Sequence, residues 1–124
     1  MIVAHFDGDD IGPVLELILL DNKLDRAREY SRSVARALQN VRDLLEVELG
    51  AEVIICGGDD LVVCWETGSV TDVDIKLIRA SFFDICGRTI SVGIGANSHE
   101  ATNNLRRAKL LGKDRVVSTI ATLK

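Results

Sequence analysis

Proline is nearly missing from this chain, with 1 residue in 124, and aromatic side chains make up only 4%. One proline excludes collagen-like and polyproline chains, and 47% hydrophobic with 27% charged residues excludes a disordered one. Cysteine is also scarce. Cys56, Cys64 and Cys86 are an odd set with no Cys-x-x-Cys pair, so neither a disulfide framework nor a zinc site is signalled, and all three read as small buried hydrophobes. No apolar run approaches the ~20 residues that cross a bilayer, and no basic stretch precedes an apolar one at the N-terminus. Direct membrane insertion is therefore not expected, and the expected location is the cytoplasm. A net charge of −4 leaves no basic stripe for general nucleic-acid binding, although a mononucleotide needs only a local patch. Without repeats or low-complexity tracts, the sequence reads as one domain over residues 1–124.

What is present is order. Ile2 to Phe6 is a short apolar strand, punctuated by Asp7 to Gly12 before Pro13, which suits the first turn of a helix. From Leu24, apolar residues step by three and four through Ala27, Val34, Leu38, Val41 and Leu45, predicting a long amphipathic helix ended by Gly50. Ala51–Cys56 and Leu61–Trp65 flank Gly57-Gly58-Asp59-Asp60, a hairpin signal, and their apolar character on both faces predicts a central place in a sheet. Thr71 and Asp74 have capping-box spacing ahead of a helix that stops near Gly87. In Thr89–Ala96, Ile90, Val92 and Ile94 share one face, while Ser91, Gly93 and Gly95 leave the other almost bare, as where a ligand or another backbone comes close. Ser98 can cap a last helix, and Arg115–Ile120 offers a closing strand. The order β-α-β-β-α-β plus a helix and strand predicts an α+β, ferredoxin-like (RRM-like) domain with helices on one face of an antiparallel sheet.

That plan brings two acidic clusters together: Asp7-Gly8-Asp9-Asp10 ends the first strand, and Gly57-Gly58-Asp59-Asp60 forms the hairpin turn. Carboxylates at strand ends suit Mg²⁺ or Mn²⁺, which take hard oxygen ligands and complete their shells with substrate phosphates. Either cluster alone is as readily a turn as a site; both together point to a two-metal site for nucleotidyl transfer. A calcium loop does not fit, because Ile11 falls where the next ligand would stand and no Glu closes the loop. Lys109 and Lys113, judged alone, read as a solvated helix end. His5 shares strand parity with Asp7 and reads as a packing residue on the same face. Asn103 and Arg107 have the Asn-x-x-x-Arg spacing that mononucleotide cyclases use on a helix.

Phe6-Asp7-Gly8-Asp9-Asp10-Ile11-Gly12, Gly57-Gly58-Asp59-Asp60 and Ala108-Lys109-Leu110-Leu111-Gly112-Lys113, in this order, resemble the GGDEF and CRISPR-polymerase palm superfamily, most closely the minimal CRISPR polymerases (mCpol). The resemblance implies a palm domain in which Asp7 and Asp59 bridge two metal ions, Gly8 adds a main-chain carbonyl, and Asp60 is a supporting ligand or acid/base partner. It further implies that Gly8, Asp9, Asp10, Gly57, Gly58, Lys109 and Lys113 line the nucleotide, the two lysines holding the triphosphate. The implied activity is synthesis of cyclic di- or oligonucleotide second messengers from NTPs, ATP by analogy, with pyrophosphate released, in antiviral defence. Two nucleotides per product imply a homodimer, and the product a separate effector. Diguanylate or mononucleotide cyclase activity and a catalytically silent nucleotide sensor are the alternatives. Leu61 follows Asp60 where diguanylate cyclases usually have Phe after Glu, no Arg-x-x-Asp lies in Gly50–Cys56, and Asp114 stands where many relatives carry Asn.

Overall fold

The hydrophobic periodicities resolve into β1 (Ile2–Gly8), α1 (Ile11–Leu20), α2 (Leu24–Asp43), β2 (Glu52–Gly57), β3 (Asp60–Trp65), α3 (Asp72–Cys86), β4 (Ile90–Gly95), α4 (Ser98–Leu110) and β5 (Val116–Ser118). The computed structural model describes residues 1–123. Among these no helix is long and apolar enough to cross a membrane. The α2 helix continues as a π-helical turn, Leu44–Glu48, which keeps Leu45 in the core before Gly50 takes a positive φ of 71° and releases the chain into β2. At α3 the capping box forms as expected: Asp74 N–H donates to Thr71 Oγ1 at 3.3 Å, and Thr71 N–H to Asp74 Oδ2 at 2.9 Å. The α4 cap is Asn97 rather than Ser98, its side-chain oxygen accepting from Glu100 N–H at 2.9 Å. Asn one residue earlier serves equally well, so spacing alone did not separate the two.

The strands form one sheet ordered β2-β3-β1-β4-β5. The α+β palm plan stands, with three departures from the sequence expectation. First, β4 and β5 pair in parallel, so the sheet is mixed rather than antiparallel throughout. Second, the hairpin is not central: β3 pairs with β1, but β2 is an edge strand and Ile54 and Ile55 are exposed. An apolar edge strand and a buried one share composition, so the pattern could not tell them apart. Third, the helices do not share one face. Ile2, Ala4 and Phe6 of β1, Leu61, Val63 and Trp65 of β3 and Ile90, Val92 and Ile94 of β4 pack with Val41, Leu45, Ile78 and Phe82 of α2, its extension and α3. The opposite face carries α4.

Gly93 and Gly95 explain how α4 is seated. A Cβ on Gly93 would lie 2.1 Å from Ala101 O and 2.2 Å from Leu105 N, and one on Gly95 2.4 Å from Glu100 Cβ. The bare face is therefore filled by the backbone of α4, and it is not an open ligand or dimer surface. Cys64 is buried and Cys86 half-buried, but Cys56, on the edge strand, is exposed, against the expectation for all three. Gly93→Ala should cost about 3 kcal/mol, or prevent folding, since main chain on both sides cannot be relieved by a rotamer change. Gly12→Ala, which meets nothing within 4 Å, should be neutral or gain up to about 1 kcal/mol in helix propensity. Urea denaturation of both variants checks this, and equal stabilities would contradict the close seating of α4.

Candidate active site

β1 lies between β3 and β4, and this register assembles the site. Asp7 is paired with Asp60 across β1 and β3, and with Ser91 across β1 and β4. Gly8 N–H donates to Asp59 O at 2.9 Å, locking the hairpin turn beside the end of β1. The two acidic clusters thus meet, as the sequence predicts. Burial raises the Asp7 carboxyl above its ordinary range; Lys109 offsets part of this, while the charges of Asp59 and Asp60 add to it. Asp60 receives a ring nitrogen of His5, Nε2 to Oδ2 at 3.2 Å, and His5 Nδ1 lies 3.4 Å from Thr102 Oγ1 on α4. His5 is therefore oriented by partners 55 and 97 positions away.

Asp9 is enclosed by the turn. It is 1% exposed, and its carboxylate accepts from Thr89 Oγ1 at 2.7 Å, Ser91 Oγ at 2.8 Å, Asp114 N–H at 2.9 Å and Lys109 Nζ at 2.7 Å. Its main chain is engaged too, with N–H on Thr89 O and the carbonyl accepting from Arg88 Nε. Burial alone would raise the Asp9 carboxyl, but the bonds from Lys109, Thr89, Ser91 and Asp114 outweigh it and hold the group below the usual range. Asp9 is the buried anchor of the turn. Thr89, Ser91, Arg88 and the Asp114 N–H escaped sequence reading; Ser91 was visible only as a small residue on the bare face.

Asp10, at the N-terminus of α1 with φ 57°, is paired with Lys113 and lies 3.6 Å from Arg88 Nη2. The loop after α4 has three consecutive positive-φ residues, Gly112 (120°), Lys113 (65°) and Asp114 (50°). Asn and Asp are the side chains that best tolerate this region, which explains why Asp114 can stand where relatives carry Asn. Its carboxylate also accepts from Arg79 Nη2 at 2.8 Å. Asn103 and Arg107 line a shallow groove with Glu100 and the β5 residues Val117 and Ser118, and this groove includes none of the clustered carboxylates. Gly57 and Gly58 form the exposed side of the hairpin turn, next to Asp59.

Lys109 Nζ lies 3.0 Å from Asp7 Oδ2 and 3.1 Å from the main-chain oxygens of both Asp7 and Gly8. Its head therefore points into the acidic turn. No three His, Cys, Asp or Glu side chains form a closed metal cage among the described residues. The donor set is instead an open one of hard oxygens, Asp7, the Gly8 carbonyl and Asp59, of which those of Asp7 and Gly8 already surround the Lys109 ammonium. Five carboxylates, Asp7, Asp9, Asp10, Asp59 and Asp60, face three fixed cations, Lys109, Lys113 and Arg88. This surplus of negative charge and this donor type fit Mg²⁺ or Mn²⁺.

The minimal CRISPR polymerase (mCpol) domain model matches residues 3–119. The chain belongs to the mCpol family. That places it among nucleotide polymerase and cyclase palm domains. No curated protein matches it significantly in sequence. Among solved structures, it resembles a Csm1–Csm4 cassette in complex with pppApA, at 20% identity and a TM-score of 0.71, covering 93% of this chain and 20% of that one. A Csm1–Csm4 cassette in complex with cA4 matches at 18% identity and a TM-score of 0.67, again over 93% and 20%. The GGDEF domain of DgcB from Caulobacter crescentus, in complex with c-di-GMP, matches at 17% identity and a TM-score of 0.63, over 94% of this chain and 76% of that one. The mCpol chain thus spans about a fifth of the cassette chains, and at these identities the likeness shows the shared fold.

Asp7 and Asp9 should respond to mutation with opposite signs. Asp9 contributes stability that is full above the ordinary carboxyl pKa of 3.8 and fades as pH falls through its lower folded value. Asp7 opposes folding while ionised, a cost relieved as pH falls through its raised folded value. In metal-free buffer at pH 7, Asp9→Asn should lose about 1–3 kcal/mol, whereas Asp7→Asn should raise the melting temperature. Thermal melts of both variants check this; shifts of the same sign would contradict the assignment.

Proposed function

We propose that this mCpol protein is a metal-dependent nucleotidyltransferase that converts NTPs, ATP by preference, into a cyclic di- or oligonucleotide. The observation that carries this reading is the convergence of Asp7, the Gly8 carbonyl, Asp59 and Asp60 at the adjoining ends of β1 and β3. Asp7, Gly8, Asp59 and Asp60 would hold two Mg²⁺ or Mn²⁺ ions. When bound, these supply charge to activate the attacking hydroxyl and to neutralise the leaving group.

The chain's own groups do the rest. A ribose hydroxyl attacks the α-phosphorus of a neighbouring NTP, the bond to the bridging α,β-oxygen breaks, and pyrophosphate leaves. Asp60, steadied by His5, is placed to take the hydroxyl proton. A cleft of about 450 Å³ between α1, α2 and the hairpin turn is lined by Ile11, Leu15, Tyr30, Ser31, Val34, Gly58 and Asp59. Its apolar walls next to a metal-holding carboxylate suit a nucleobase and ribose. The preference for adenine rests on analogy with the similar cassette in complex with pppApA. One cleft per chain, with two nucleotides per product, supports a homodimer. A product of this kind would act as a second messenger in antiviral defence, read by a separate effector.

Incubation with each NTP and Mn²⁺, with products resolved by mass, tests the reading. ATP should give a cyclic di- or oligonucleotide, and Asp59→Asn should give no product while keeping its fold, since Asn is nearly isosteric but a poor metal ligand. A cyclic mononucleotide or a guanine product would replace this reading with a mononucleotide or diguanylate cyclase, and no product with a silent sensor. Specific activity should also rise with protein concentration until dimers saturate; constant activity from a monomer in sedimentation would contradict the dimer.

A further inference from the structure

Lys109 is bound as a metal ion would be. Its ammonium has three protons to donate, yet four oxygens lie within reach: Asp9 Oδ1 at 2.7 Å, Asp7 Oδ2 at 3.0 Å, and the main-chain oxygens of Asp7 and Gly8 at 3.1 Å. Asp7 and the Gly8 carbonyl are also the oxygens assigned to the divalent ion. We propose that Lys109 is the resident cation of the metal site and competes with the divalent ion for these oxygens. Metal is then held weakly by the protein alone, and its binding is coupled to that of a triphosphate, whose charge gives the displaced ammonium a new partner. The inference rests on the metal-dependent reading above and adds its regulation: an acidic site that stays closed to metal until nucleotide arrives.

Three features support the exchange. α4 is fixed against β4 by Gly93 and Gly95, so the flexible lysine head, not the helix, is the part free to move. The Lys109 side chain is 23% exposed, which leaves the head an exit to solvent. Asp9 would not be orphaned by its departure, since Thr89, Ser91 and the Asp114 N–H still donate to its buried carboxylate. Lys113 differs, because its partner Asp10 is outside the metal-holding set.

Mn²⁺ binding without nucleotide, followed by electron paramagnetic resonance, separates the possibilities. Lys109→Met should bind Mn²⁺ at least about tenfold more tightly than the wild type, a coupling of ordinary size. Lys109→Arg, which keeps the charge, and Lys113→Ala should stay near the wild type. A non-hydrolysable ATP analogue should tighten Mn²⁺ binding by a larger factor in the wild type than in Lys109→Met, where only the direct phosphate ligation remains. Circular dichroism confirms that each variant is folded. If Lys109→Met binds Mn²⁺ no more tightly than the wild type while Asp7→Asn abolishes binding, the competition is refuted and the metal site stands. An equal gain in Lys113→Ala refutes it as well, by reducing the effect to net charge. If no variant binds Mn²⁺ in an Asp7-dependent way, the metal-dependent reading falls and this inference with it.

Discussion

The buried carboxylate of Asp9 is the interaction on which the rest of the site depends. An ionised group so far from water is costly unless it is fully hydrogen-bonded. Here Thr89 comes from just before β4 and Ser91 from within it, Lys109 from the end of α4, and the Asp114 N–H from the loop that follows. One side chain thus ties the turn after β1 to three other segments. Thr89, Ser91 and the Asp114 N–H hold the carboxylate whether or not the Lys109 ammonium stays, so the site is ordered by the same bonds that complete the fold.

Asp7, two residues earlier, meets the opposite environment. It is partly buried beside Asp59 and Asp60, and burial with like charge disfavours its ionised form. A stable fold would avoid such crowding; a site that attracts cations requires it. Asp9 and Asp7 divide the work within one short turn, the first stabilising the chain and the second remaining in a state that a cation improves.

Much of this was legible in the sequence because its signals are local. The capping box at Thr71, the positive-φ Gly87 that ends α3 and the two acidic turns depend on neighbours a few residues apart, and the structure places them as read. The convergence of Asp7 with Asp59 and Asp60 followed from strand order. The misreadings concern long-range packing. Apolar residues on both faces of β2 did not reveal an unpaired neighbour, and the bare face of β4 could not say whether a ligand or a helix filled it. The burial of Asp9 was not legible because its partners at Thr89, Ser91 and Asp114 lie some 80 to 105 positions away. Asp60 and Thr102, the partners that orient His5, are likewise distant in sequence.

The short connection from α4 to β5 works as a ruler. Gly112, Lys113 and Asp114 all turn through the left-handed region, and within this span the chain delivers a cation to Asp10, an N–H to Asp9 and a carboxylate to Arg79. Surface loops usually tolerate changes in length. This one has no slack: one residue more or fewer would move all three groups out of phase with their partners, so length variation among homologous chains should be confined to other loops.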